Sequence, residues 1–168
     1  RIWIADTNNH RIVQTTASRV ESGNELLDSL VIRPGSAGEA ETGPLSFRQD
    51  FGEGRLHVDV VLPGGHNLNE ASPNSVVFRN AAGVEMVMPV ASDGTDRQRL
   101  TYRWSDLVKA GVVDRDIGRQ SITMETWFYY CLQENEEICR FYGVEYQLLL
   151  EPTDGQGGAP ATVTVPVG

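Results

Sequence analysis

The only two cysteines in the 168 residues, Cys131 and Cys139, stand in the stretch YYCLQENEEIC. Residues of this type can form a redox pair, supply two legs of a metal site, or staple a hairpin. A nucleophilic pair needs a thiolate, which nearby positive charge or a helix N-terminus favours. This segment carries Glu134, Glu136 and Glu137 against Arg140 alone. The carboxylates raise the thiol pKa and slow exchange at neutral pH. A metal site lacks a histidine at ligand spacing. A cross-link is geometrically straightforward, because cross-strand neighbours have Cα atoms about 5.5 Å apart. The two cysteines fall at the bases of an intervening loop, and closing it is worth about 2.6 kcal/mol in the chain-entropy model. The residues thus favour a structural disulfide. An exchangeable pair, free thiols and a metal site remain as alternatives.

The other chemistry-bearing residues are sparse. His10, His57 and His66 are the only histidines. His57 alternates onto the polar face of a strand, and His10 sits in a turn. His66 follows Pro63-Gly64-Gly65 and precedes Asn67 and Asn69, so His66, Asn67 and Asn69 form a candidate binding loop, with a polar turn as the plainer reading. Asp93-Gly94-Thr95-Asp96 has the opening of a calcium loop without its later ligands. Asp114 and Asp116, flanking Arg115, read as a solvated face. No serine–histidine–acid order, phosphate-cradling loop or paired-carboxylate motif stands out. The expectation is therefore no catalytic residue beyond the cysteine pair, no metal and no cofactor.

Stepping from residues to elements, almost everything reads as strand. Leu56, Val58, Val60 and Leu62 alternate with His57 and Asp59. Further strands are expected over 75–78, 84–90, 98–104, 121–131, 140–150 and 161–167, and one short helix over 105–110. Ser105 or Asp106 would cap that helix and Gly111 would stop it. Short strands separated by Gly, Pro and Asp turns predict an all-β, antiparallel, immunoglobulin-like β-sandwich. The strand before Cys131 is aromatic on both faces (Trp127 and Tyr129 against Phe128 and Tyr130), so one face is expected to meet a neighbouring domain. Hydrophobic residues make up 40% of the chain, enough for a real core. The net charge of −9 repels phosphate backbones and argues against nucleic-acid binding. No apolar run reaches the roughly 20 residues of a membrane-spanning helix, so membrane insertion is not expected. The chain begins at Arg1 without a methionine and reads as a piece of a longer protein. A paired Cys131–Cys139 would favour an extracytoplasmic, oxidising compartment.

Three resemblances refine this. The segment Arg1-Ile-Trp-Ile-Ala-Asp6-Thr-Asn-Asn9-His-Arg11-Ile12 resembles the signature of NHL-repeat β-propellers, a strand ending in Ala-Asp, a tight turn, then Asn-x-Arg-Ile. Ala5, Asp6, Asn9, Arg11 and Ile12 match it, and Asp6 and Arg11 are placed to pair across the turn. The resemblance implies that residues 1–33 are the strands of a single partial blade, followed by a linker over 34–45 and a β-sandwich domain over 46–168. A lone blade cannot bury both faces, so the remaining blades would be partners. The run Val60-Val-Leu-Pro63-Gly64-Gly65-His66-Asn67-Leu68-Asn69, with Tyr129, Tyr130, Cys131 and Cys139, resembles the C-terminal sandwich of proteins that join a thioredoxin-like domain to an NHL propeller. His66 departs from the aromatic residue usual there. The sandwich is also faintly similar to the immunoglobulin-like domain of a periplasmic thiol:disulfide interchange reductase, whose cysteine spacing is shorter.

The function expected is a non-catalytic C-terminal docking or stabilising module of a multidomain NHL-propeller protein, stapled at its hairpin. The alternative is a thiol–disulfide exchange module in which Cys131 and Cys139 are catalytic and serve a thioredoxin-like partner domain.

Overall fold

A computed structural model describes residues 2–6, 11–15, 38–39, 43–153 and 159–167, with backbone alone for the first three stretches and for 135–138. Strands β1 (Ile2–Asp6) and β2 (Arg11–Thr15) form a two-stranded antiparallel sheet in which Asp6 opposes Arg11. That register is the one the turn residues predict. Asn9 and His10 lie outside the described residues.

The rest is an all-β sandwich. Its larger sheet is ordered β3-β11-β10-β7-β8, with β4 also pairing β11 and β6 also pairing β10. The strands are β3 (Gly38–Glu39), β4 (Leu45–Gln49), β6 (His66–Leu68), β7 (Ser75–Asn80), β8 (Glu85–Pro89), β10 (Gln120–Leu132) and β11 (Asn135–Pro152). The long hairpin of β10 and β11 is its axis. Even-numbered residues of this hairpin, among them Ile122, Met124, Phe128, Tyr130, Tyr146 and Leu148, enter the core. The smaller sheet is ordered β12-β5-β9, from β5 (Arg55–Val61), β9 (Arg97–Arg103) and β12 (Ala161–Pro166). Leu56, Val58 and Val60 of β5, with Val163 and Val165 of β12, close the core from that side. The period-two alternation read from the sequence is the alternation of faces that results.

The sheets are mixed where an antiparallel sandwich was expected. β3 and β4 pair parallel with β11, and β12 pairs parallel with β5. Alternation fixes which face a side chain takes but not its strand's partner, and distant strands joined by long connections can pair in either sense. The stretch 34–45, expected as linker, contains β3 and ends on the first residue of β4.

Helix α1 (Trp104–Lys109) lies where the pattern places it but begins one residue early, at Trp104. Arg103 takes the cap position and no side chain caps the helix, so neither Ser105 nor Asp106 fills that role. Trp104 and Leu107 are driven inward, and their burial sets the start in place of a cap. Gly111 ends it as expected, at φ +76° with its N–H donating to the Val108 carbonyl. Gly54 lets the chain close on Trp104: a Cβ there would run into the Asp50 carbonyl oxygen and lie 3.0 Å from Trp104 Cδ1.

Candidate functional site

The cysteines lie near the tip of the β10–β11 hairpin. Cys131 directly opposes Cys139 in the antiparallel register, with Cα atoms 4.0 Å apart, and the two are disulfide-bonded. The loop expected between them is mostly strand. β10 runs to Leu132, which pairs with Asn135 after a register shift, and a turn at 133–134 reverses the chain. Residues 136–138 of β11 are thus left without counterparts in β10. The expectation failed because it treated the polar run as loop, whereas the hairpin absorbs it as a bulge.

The residues predicted as a separate binding loop converge on this disulfide. His66, Asn67 and Leu68 form β6, a short strand and not a loop, antiparallel to β10 with Asn67 opposite Cys131 and His66 opposite Leu132. Leu68 is buried in the core. The His66 ring packs against Tyr130 at 5.6 Å between centroids. Its Nδ1 lies 3.2 Å from the carbonyl oxygens of Pro63 and Gly64, both acceptors, so Nδ1 carries the proton. The Asn69 side-chain amide donates to Cys139 Sγ at 3.7 Å, and its Oδ1 accepts from the Ala71 N–H.

Asn74 completes the support, and sequence reasoning missed it. It is buried, its Nδ2 donates to the Asn69 carbonyl at 2.7 Å, and its Oδ1 accepts from the Tyr129 N–H at 2.7 Å. The Asn69 N–H in turn donates to the Tyr129 carbonyl. One asparagine therefore ties the segment after β6 to β10 beside the cysteines. In the sequence it follows Ser72-Pro73, where an asparagine reads as turn chemistry.

Cys131 is 3% exposed and Cys139 half-buried. The disulfide lies on the face of the large sheet turned away from the core, beside a run of aromatic side chains. Phe141 packs against Tyr129 at 5.0 Å and Trp127 at 5.8 Å. Trp127 is 6% exposed and opposes Gly143, yet it stands outside the core cluster. Its Nε1 is buried with no hydrogen-bond partner among the described residues. The second aromatic face that the sequence predicts is therefore present, next to the cysteines. Glu134 and Arg140, close to the cysteines in sequence, are exposed; Glu136 and Glu137 have no described side chains.

The remaining candidates are dispersed. His57 lies on the outer face of the small sheet with Nδ1 3.0 Å from Thr101 Oγ1. Asp93 accepts from the N–H and hydroxyl of Thr95, a local turn. Asp114 accepts from the Asp116 N–H in the same way. Among the described residues no group of three or more His, Cys, Asp or Glu could hold a metal ion, and no helix is long and apolar enough to cross a membrane.

A scan against protein-family models finds no match, and a search of curated proteins likewise finds none.

Proposed function

We propose that this chain is a non-catalytic docking and stabilising β-sandwich module of a multidomain protein, following an NHL-type propeller blade and stapled at its hairpin tip. The observation that carries the reading is the cross-strand disulfide, buried at Cys131 and half-buried at Cys139, beside Trp127, Tyr129 and Phe141 on the face away from the core. Aromatic residues on the second face of a sheet supply contact area for a neighbouring domain. The disulfide and the Asn69–Asn74 bonds hold that face rigid.

Thiol–disulfide exchange is the second reading, favoured by the half-buried position of Cys139. In it, a thiolate of a thioredoxin-like partner attacks Cys139 Sγ, the S–S bond breaks, and Cys131 leaves as the thiolate. The partner's second thiol then resolves the mixed disulfide, so the partner is oxidised and this pair reduced by two electrons. The surroundings oppose that route. Cys131 would carry its negative charge in a buried setting, which makes it a poor leaving group. The Asn69 side-chain amide donates to the other sulfur.

A redox titration of the pair separates the two. A midpoint below about −300 mV supports the staple, and one near the about −270 mV of thioredoxin overturns it in favour of exchange. Docking is tested by Phe141→Glu in the chain extended by its natural upstream sequence. Small-angle scattering should then report separation of the sandwich from what precedes it.

A further inference from the structure

The small sheet carries a second surface, unrelated to the disulfide. The outward face of β5 and β9 presents Arg55, Arg97, Arg99 and Arg103 against a single carboxylate, Asp59, in a chain whose net charge is −9. Asp59 pairs with Arg99 through bonds of 2.6 and 2.8 Å. Among the described residues, Arg55, Arg97 and Arg103 take part in no ion pair. Arg55 and Arg103 even oppose each other across the strands, an arrangement that costs stability.

β9 is also an edge. The Leu62 N–H donates to the Asp96 carbonyl and the Trp104 N–H to the Gly54 carbonyl. With the antiparallel register, this turns the N–H and C=O groups of the even-numbered residues toward β5. Those of Arg97, Arg99 and Thr101, together with the Arg103 N–H, point to the open edge. Among the described residues no strand pairs there; the Arg97 carbonyl accepts from the Thr95 hydroxyl, and the Arg103 carbonyl, at the N-cap of α1, is taken by the first helical turn. The edge of the other sheet differs. Bonds from Val90 to Asn74 and from Asn80 to Val84 put Pro89 of β8 at an edge-facing position, where it offers no donor.

Between these edges opens a pocket of about 130 Å³. Phe78, Met86, Met88 and Tyr102 form its apolar wall, and Arg103 and Asp106 also line it. A cavity of about 150 Å³ holds benzene, so this one has room for an aliphatic side chain.

We infer that the free edge of β9 is a docking site for an extended segment of a partner protein in which acidic and aliphatic residues alternate. Strand addition needs open backbone groups for affinity and pockets for alternate side chains for specificity. Here the edge supplies four N–H donors and the open carbonyls of Arg99 and Thr101, with successive positions about 6.7 Å apart. Acidic side chains of the added strand meet the arginines on the outer face. An aliphatic side chain on its other face enters the pocket. The inference goes beyond the docking role proposed above, because it concerns the opposite sheet and needs no propeller upstream.

The test titrates the full chain into a short labelled peptide alternating Glu and Val. Saturable binding is expected, with slowed amide exchange at Arg97, Arg99, Thr101 and Arg103. The double variant Arg97→Glu/Arg103→Glu, checked for folding by its thermal melt, should bind about tenfold more weakly or worse. The same peptide N-methylated at alternate amides cannot pair as a strand and should not bind. Equal binding of the N-methylated peptide would reduce the site to charge attraction and overturn the inference. So would no binding at all, or self-association of the chain that the double variant abolishes, which would make a second copy the occupant.

Discussion

Removing the cross-link between Cys131 and Cys139 isolates what it contributes. The bond closes a loop with a sequence separation of 8. In the chain-entropy model such a loop restrains the unfolded chain by about 2.5 kcal/mol. The native hairpin does not depend on the bond for its shape. Asn67 pairs with Cys131 on the far side of β10, the Gln133 N–H donates to the Gly65 carbonyl, and Tyr130 pairs with Arg140 and Leu132 with Asn135, so the tip is held without sulfur. Nearly the whole effect should therefore appear through the unfolded state. For a domain of this size 1 kcal/mol moves the midpoint by about 2–4 °C, so Cys131→Ala/Cys139→Ala should melt about 5–10 °C below the oxidised parent. The assay is thermal and urea unfolding followed by circular dichroism and Trp fluorescence, with the parent measured with and without reductant. The reduced parent should behave like the variant. Two results would refute the reasoning: an unchanged midpoint, or loss of cooperative unfolding, which would show that the core needs the cross-link.

The other predictions concern single contacts. Asn74→Ala strands the Tyr129 N–H and should cost about 1–3 kcal/mol by urea unfolding. Gly54→Ala forces a Cβ against the Asp50 carbonyl and Trp104, and should cost about 1–3 kcal/mol by the same assay. The Arg99 guanidinium, hydrogen-bonded to Asp59, holds that carboxyl below the usual range. The stability it adds is present above the unfolded aspartate pKa of about 3.9 and is lost as pH falls through the folded value. Asp59→Asn should therefore lower the urea midpoint slightly at pH 7, with the gap narrowing as the pH falls below about 3.9. A gap that widens in acid would contradict the pairing.

Much of the fold was legible because alternation is a local signal. Leu56, Val58 and Val60, or Ile122, Met124 and Phe128, announce a buried face wherever their strand pairs. Partners are not local, so the parallel attachment of β4 to β11 and of β12 to β5 had no signature. The helix start was misplaced because a buried indole at Trp104 outweighs the cap preference of Ser105. At the candidate site, the direct opposition of Cys131 and Cys139 followed from their flanking strands. Asn67 and Asn69 were singled out but placed in a loop of their own. Their approach to the cysteines arises from β6 pairing with β10, a contact between segments more than sixty residues apart. Asn74 was invisible for the same reason, since its bond to Tyr129 joins a turn to a distant strand.

The parallel pairing of β12 with β5 sets an order of events during synthesis. β5 is made early, but the strand that covers its second edge begins only at Ala161. Until that segment emerges, the backbone groups of β5 on that side have no ladder, and Val163 and Val165 are missing from the core. Long-range pairing of this kind is slow and leaves apolar strands exposed while it waits. Folding is therefore completed late, and the nascent chain is most prone to aggregate in the interval between β9 and β12.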